Sequence, residues 1–313
     1  MKKMFLMLLS IGAVCIAADA RKVTGSVVSG EEKLAGVVVT DGINFTQTKS
    51  NGKFAFDIKD DAEFVYIVTP AGYAGDWSTG VPAFYQKAEG KKSFVFDLVK
   101  TKTGGNDYKF VAVGDPQPYG DEHFAQLAGE PLEDLSKTTK ELGLSAVGVA
   151  LGDISWDRPE LLDSWRREIV RTGIPFYPVI GNHDHVRKQG GDLQSSAEYR
   201  KRMCPENFAF FIGKDVFFSL DDIIYTADKS YDEGYADHVL AFVRGVMKYV
   251  PAVADVYVAQ HSPVVGRDNG KKIINASDMM NLFEDRQVLF LSGHNHVSKS
   301  YNYRDNIREH NIP

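Results

Sequence analysis

The sequence predicts an α/β (α+β) chain: two packed mixed β-sheets flanked by helices, preceded by a small all-β sandwich. Three observations predict it. Five apolar runs of strand length recur between residues 110 and 292, and each gives way at once to Asp, Asn, Gln or His. Amphipathic stretches of helical period lie between several of those runs, which is the alternation of an α/β core. Residues 21–100, by contrast, hold only short alternating or β-branched runs punctuated by Gly turns, the pattern of a small sandwich.

Taken in order, the chain begins with Lys2 and Lys3 ahead of an apolar stretch over residues 4–17, and Ala18-Asp19-Ala20 offers a small-residue cleavage site. Residues 1–20 therefore read as a signal peptide for export to the periplasm or the extracellular space. The stretch is short for a membrane span, and Val14 before Cys15 suits a lipidation site poorly. After cleavage no transmembrane segment is expected, and Cys204 is the one cysteine left, so no intrachain disulfide can form. The net charge of −6 argues against a nucleic-acid-binding surface, which wants a basic face.

Residues 21–103 form the predicted sandwich. Val23, Gly25 and Val27 open it and Gly36-Val37-Val38-Val39 follows. Asp41-Gly42 and Asn51-Gly52 read as hairpin turns. Phe54 and Phe56 alternate with Lys53 and Asp57, and the apolar runs at 64–68 and 94–96 complete at least five strands. Trp77, Phe84 and Tyr85 stand in a Gly- and Pro-containing stretch, where they read as a lid or interdomain contact, or as a surface for glycan or another protein. Gly104 to Asp107 lacks apolar periodicity and is the linker.

The second domain spans residues 108–313. Residues 124–142 predict a helix or helix pair, broken near Gly129 and Pro131. A helix is expected over 161–170, begun near Pro159, and another over 238–249 with Val239, Phe242, Val243 and Val246 on its apolar face. Residues 185–207 are polar and predict an insertion over the site. Residues 208–212 and 216–220 read as paired strands.

The chemistry sits where the five apolar runs end. Phe110-Val111-Ala112-Val113-Gly114 leads to Asp115 and Gln117; Val147-Gly148-Val149-Ala150-Leu151-Gly152 leads to Asp153. Phe176-Tyr177-Pro178-Val179-Ile180-Gly181 leads to Asn182, His183 and Asp184. Val256-Tyr257-Val258-Ala259-Gln260 leads to His261, and Val288-Leu289-Phe290-Leu291-Ser292-Gly293 leads to His294, Asn295 and His296. Ligands in open α/β sheets gather at the carboxyl ends of strands, and oxygen and imidazole donors suit divalent metals. Two carboxylates crowded with imidazoles out of water need a cation.

These blocks, in this order, resemble those of the calcineurin-like metallophosphoesterase superfamily, over residues 108–303. The N-terminal segment resembles a carboxypeptidase-regulatory or transthyretin-like sandwich in Gly36-Val37-Val38-Val39 and Ser50-Asn51-Gly52-Lys53-Phe54. The resemblance implies a phosphoester hydrolase, a monoesterase or diesterase, with two divalent ions drawn from Mn, Fe or Zn. It implies that Asp115, Gln117, Asp153 and His296 hold the first ion and that Asn182, His261 and His294 hold the second, with Asp153 bridging. A hydroxide held between the ions would be the nucleophile, and His183, free of metal, the general acid.

The first block ends in Gln117 where the family normally has His, although some members carry Gln there; a neutral amide oxygen is the poorer donor, which tilts the site toward Mn or Fe over Zn, with Mn favoured. Arg158, His185, Arg187 and Arg267 are candidate substrate contacts, Arg158 lying in a Gly-Asp-x-x-Asp-Arg-like pattern lengthened by one residue. The implied substrate is a small-molecule or lipid-head-group phosphoester. The rival expectation is a catalytically impaired core that binds glycan or protein through its sandwich. Only residues 297–313 follow the last His pair, polar and few for the strands that finish such a core, so the sequence leaves open a C-terminal truncation or an unusually short natural ending.

Overall fold

A computed structural model of the chain describes residues 20–226, 230–265 and 271–313. The expected leader, but for Ala20, lies outside the described residues, as does Arg267.

The N-terminal half is built on the strand Ala20–Ser29. It pairs antiparallel with Lys53–Lys59 and parallel with Ser93–Lys100, which in turn takes Tyr73–Gly75 on its far side. A four-stranded sheet in the order Phe45–Gln47, Val38–Thr40, Phe64–Ile67, Tyr85–Lys87 accompanies it. Strand Ser93–Lys100 shows why the sequence folds this way: Phe94, Phe96 and Leu98 are buried while Val95, Asp97 and Val99 face out. Asp41-Gly42 does turn a hairpin between Val38–Thr40 and Phe45–Gln47. Asn51-Gly52 does not. Its turn, closed by Gly52 N donating to Lys49 O, delivers strand Lys53–Lys59 to the other sheet, against Ala20–Ser29.

In the C-terminal half, Lys109–Val113, Ala146–Leu151 and Phe176–Val179 form a parallel sheet. A six-stranded sheet runs Phe208–Ile212, Asp215–Ser219, Val256–Ala259, Val288–Ser292, Ile307–Asn311, Lys299–Arg304. The two meet through aromatic rings: Phe110 lies 5.0 Å from Phe217, and Tyr177 stacks on Phe210 at 4.1 Å. Helices Asp121–Gly129, Pro131–Leu142, Glu160–Ile169 and Asp237–Met247 take the places expected for them. Pro131 occupies a first-turn position, where its missing N–H costs nothing.

The stretch after residue 297, expected to be too short and polar for further strands, supplies two of them. Strand Ile307–Asn311 lies parallel to Val288–Ser292 and antiparallel to Lys299–Arg304. Its inward residues are Ile307, Glu309 and Asn311. The polar pair is tolerated because it is bonded: Glu309 accepts from Ser292 Oγ at 2.7 Å and from Tyr303 OH, and Asn311 donates to Ser292 Oγ at 3.1 Å.

The sandwich and the α/β half share one continuous apolar core. Phe84 is fully buried, 4.5 Å from Phe208 and 5.9 Å from Tyr177, so it is an interdomain contact with no surface left for a sugar. Phe45 reaches Phe242 at 6.0 Å on helix Asp237–Met247. Gly245 makes room for it, since a Cβ there would lie 2.2 Å from the Phe45 ring. The latter part of the 185–207 insertion is pinned toward the sandwich rather than lying over the site. Its Arg200 bonds Glu63 and Glu206, each at 2.6 Å, and its Met203 carbonyl accepts from Tyr85 OH.

Candidate metal centre

The five strand-end loops converge. Six of the eight non-glycine residues with positive φ among the described residues lie in them: Asp115 (32°), Gln117 (42°), Asp153 (47°), Asp157 (53°), His294 (64°) and His296 (51°). Each such residue costs about 1–3 kcal/mol, so their concentration at one place marks a site held against backbone preference.

Glycines set the closeness. A Cβ at Gly181 would lie 2.3 Å from Asp153 Oδ1, and one at Gly293 would lie 2.3 Å from Asp115 Oδ2. Gly181 was expected to serve a sharp turn and approach to a ligand; what approaches it is the neighbouring loop's carboxylate.

The side chains form one network. His261 Nε2 lies 3.0 Å from Asn182 Oδ1, 3.2 Å from Asp153 Oδ2 and 3.1 Å from His294 Nδ1. His296 Nε2 is 3.4 Å from Asp115 Oδ1, and the His294 backbone N–H donates to Asp115 Oδ2 at 2.8 Å. Gln117 joins as a donor, its Nε2 2.7 Å from Asp153 Oδ2; as a ligand it would have to turn Oε1 inward instead.

A cation fits this cluster on the chemistry of its donors. His261 Nδ1 is bonded to the Leu151 carbonyl at 2.8 Å, and His294 Nε2 to Glu233 Oε1 at 3.0 Å. Carbonyl and carboxylate accept only, so both inner nitrogens are left with lone pairs. Those lone pairs, Asn182 Oδ1 and Asp153 Oδ2 all face one another, four acceptors with no donor among them. Asp115 Oδ1 is buried with no hydrogen-bond partner at all.

Without a metal, a proton answers this demand. Burial disfavours charge on His261, but Asp153, Asp115 and Asp222 outweigh it and push its pKa up to about 10. Burial likewise opposes ionisation of Asp153, yet His261 holds it well below the usual carboxylate range. Burial dominates at Asp115 and raises it.

His183 keeps its ring out of the cluster. Its backbone N–H donates to Asp153 Oδ1 at 2.8 Å, while its Nδ1 lies 3.0 Å from Asp157 Oδ1 and its ring stacks on Trp156 at 4.0 Å. Two buried acids brace the loops from behind. Asp184 accepts the N–H groups of Ile154, Ser155 and Gly181, and Asp222 those of His261 and Ser262.

The expected substrate contacts fare differently. Arg187 Nε lies 3.6 Å from Asp157, beside His183. Arg158 is turned to Glu160 at 2.5 Å and the Tyr119 carbonyl. His185 is a correction: its side chain is fully buried, bonded to the Gly181 carbonyl at 2.9 Å, and cannot meet substrate. The lengthened Gly-Asp-x-x-Asp-Arg pattern delivers Asp157 to His183 and leaves the arginine outside. Sequence reasoning also missed Glu233 and Asp222. Asp222 follows the apolar strand Asp215–Ser219 and so carried the same strand-end signal; Glu233, on the short strand Tyr231–Glu233, carried none.

A family model for calcineurin-like phosphoesterases matches residues 108–298, and one for the N terminal of calcineurin-like phosphoesterase matches residues 21–101. Among solved structures, a dimetal phosphatase from Danio rerio is similar at 15% identity, covering 65% of this chain and 86% of its own, with a TM-score of 0.48. No curated protein matches the chain.

Proposed function

Because the chain belongs to the calcineurin-like phosphoesterase family and is a metal-dependent hydrolase of phosphoric esters, we propose that it cleaves small phosphoesters outside the cytoplasm, with His183 as the proton donor. Asp115, Gln117, Asp153 and His296 would hold one divalent ion, and Asn182, His261 and His294 the other, with Asp153 shared. Bound there, the ions supply an activated water and neutralise charge on the phosphoryl oxygens.

The chain's own residues do the rest. The His183 backbone N–H fixes Asp153 in place beside the side-chain-free Gly181; Leu151 and Glu233 fix which nitrogen His261 and His294 turn inward. Asp157 and Trp156 hold the His183 ring at the edge of the cluster, within reach of a leaving oxygen above it. Arg187, beside Asp157, is placed to meet a non-bridging phosphoryl oxygen. Gln117, the weaker donor, favours Mn in its site. Export rests on Lys2, Lys3 and the apolar stretch that follows them.

The observation that carries the proposal is the convergence of four acceptors on one point, with the unligated His183 ring beside them. The test is turnover of 4-nitrophenyl phosphate and bis(4-nitrophenyl) phosphate by metal-stripped protein before and after Mn(II) is restored. Activity that returns with Mn(II) and is lost in Asp153→Asn supports the reading. No turnover of either ester with Mn(II), Fe(II) or Zn(II) overturns it.

A further inference from the structure

We propose that His185, Asp192 and Asp221 form a divalent-cation site of their own, separate from the metal centre, which ties the 181–185 turn to the segment that follows strand Asp215–Ser219. A borderline ion such as Zn(II) suits one imidazole nitrogen and two carboxylate oxygens, with a fourth position for water.

One potential ligand atom from each residue lies within 4.8 Å of the others. His185 and Asp221 are 1% and 6% exposed, deep enough that unpaired groups are costly. His185 Nδ1 is bonded to the Gly181 carbonyl, so the proton of a neutral ring sits there and Nε2 carries a lone pair. That Nε2 is buried and has no hydrogen-bond partner. What faces it is Asp221 Oδ2, another acceptor.

The distance discriminates between occupants. Nε2 and Asp221 Oδ2 are 3.6 Å apart, beyond the roughly 2.7–3.2 Å of a charge-assisted hydrogen bond. Two ligands of one tetrahedral ion at bonds of about 2.0–2.1 Å stand roughly 3.3 Å apart, so an ion between them needs only a small inward shift.

The carboxylates are already oriented for it. Asp221 takes the Ile223 N–H on Oδ1 at 3.0 Å, and Asp192 takes the Tyr225 N–H on Oδ1 at 2.9 Å, which leaves each Oδ2 to a ligand. Backbone donors on the outer oxygen are the usual support of a metal-binding carboxylate. A proton is the ion's competitor: burial disfavours it on His185, but Asp221 raises the ring above its ordinary pKa.

The site touches the metal centre only through structure. The His185 ring stacks on Tyr225 at 4.9 Å, and Tyr225 OH donates to the Asn182 carbonyl at 2.8 Å. An ion here would hold Asn182 in register without meeting substrate.

The full chain would be stripped with chelator, reloaded with Zn(II), dialysed and its bound metal counted by plasma mass spectrometry. Asp192→Asn and Asp221→Asn each keep an oxygen for the backbone N–H while putting an amide where the ion would bind. The wild type is expected to hold one more Zn(II) per chain than either variant, and its crystals to show an anomalous peak among His185, Asp192 and Asp221. Because the readout is a difference of one ion, it holds whether the metal centre takes two ions, one or none. Equal counts in all three proteins, or anomalous peaks at the metal centre alone, would overturn the assignment and leave a proton as the occupant.

Discussion

His183 Nδ1 and Asp157 Oδ1 lie 3.0 Å apart, joining a residue of the Gly-Asn-His-Asp loop to one four places beyond Asp153. The contact engages Nδ1, so Nε2 is the nitrogen the proposed proton donor would turn to a leaving group. His183→Ala should lower kcat by about 10²–10⁴-fold on alkyl phosphates. It should do less on 4-nitrophenyl phosphate, whose leaving group needs no proton. Asp157→Asn should show the same leaving-group dependence, weaker by roughly tenfold. Equal losses on both substrates would mean that His183 does not donate the proton.

Gly181→Ala and Gly293→Ala test the packing of the centre rather than its ligands. The added methyl would lie 2.3 Å from Asp153 Oδ1 in the first and from Asp115 Oδ2 in the second. In the first the Asp153 backbone, whose N would lie 2.2 Å away, must shift with its carboxylate, and in the second the Asp115 carboxylate must move; metal affinity should fall about 10–100-fold while the circular-dichroism spectrum is kept. Equilibrium dialysis against Mn(II) reads the change. Unaltered affinity in both would show that these loops have slack the distances deny.

Much of this was legible in the sequence, because strand-end position and residue type suffice to nominate ligands. Asp115, Asp153, Asn182, His261, His294 and His296 each follow an apolar run, and the structure draws them into one network. What stayed hidden depends on chain direction after a turn. Asn51-Gly52 has hairpin composition, yet its exit leads to the other sheet. Ile307–Asn311 looks too polar for a core strand, and only the contacts of Glu309 and Asn311 explain why it is one. His185 reads as a substrate contact until its burial is seen.

Gln117 donates to Asp153 Oδ2 at 2.7 Å, so it would compete with a metal ion for that carboxylate. Gln117→His would replace that donor with an imidazole lone pair. Affinity at the first ion should rise by about tenfold or more, with Zn(II) gaining more than Mn(II). Competitive loading with the two metals measures it. An unchanged Zn:Mn ratio would remove Gln117 from the list of ligands.

Metal uptake should release a proton. In the ion-free protein His261 is raised from its usual 6.5 to about 10, so protonation stabilises that state fully below about pH 6.5 and the benefit is lost as pH rises through about 10. An ion needs the same lone pair and must displace the proton. Between those limits apparent affinity should climb by roughly tenfold per pH unit, and more steeply wherever Asp115, raised by burial, still holds its own proton. Calorimetry at pH 7.5 in buffers of differing ionisation enthalpy should detect about one proton per chain. Enthalpies independent of buffer would place His261 neutral before metal arrives.

Phe84 is the most deeply seated of the contacts that hold the sandwich to the α/β half, beside Phe45 with Phe242 and Arg200 with Glu63. It is fully buried between Tyr177, on the strand that leads to Gly181, and Phe208, on the first strand of the other sheet. Phe84→Ala should cost about 3–5 kcal/mol, since ring-sized cavities in rigid surroundings collapse only in part. The loss falls on the interface, so a single calorimetric transition should separate into two, the sandwich and the α/β half melting independently. Metal content should fall little, because Gly181 and Asp153 are held by their own loops. One lowered but undivided transition would show instead that Arg200 with Glu63, and Phe45 with Phe242, keep the halves coupled without Phe84.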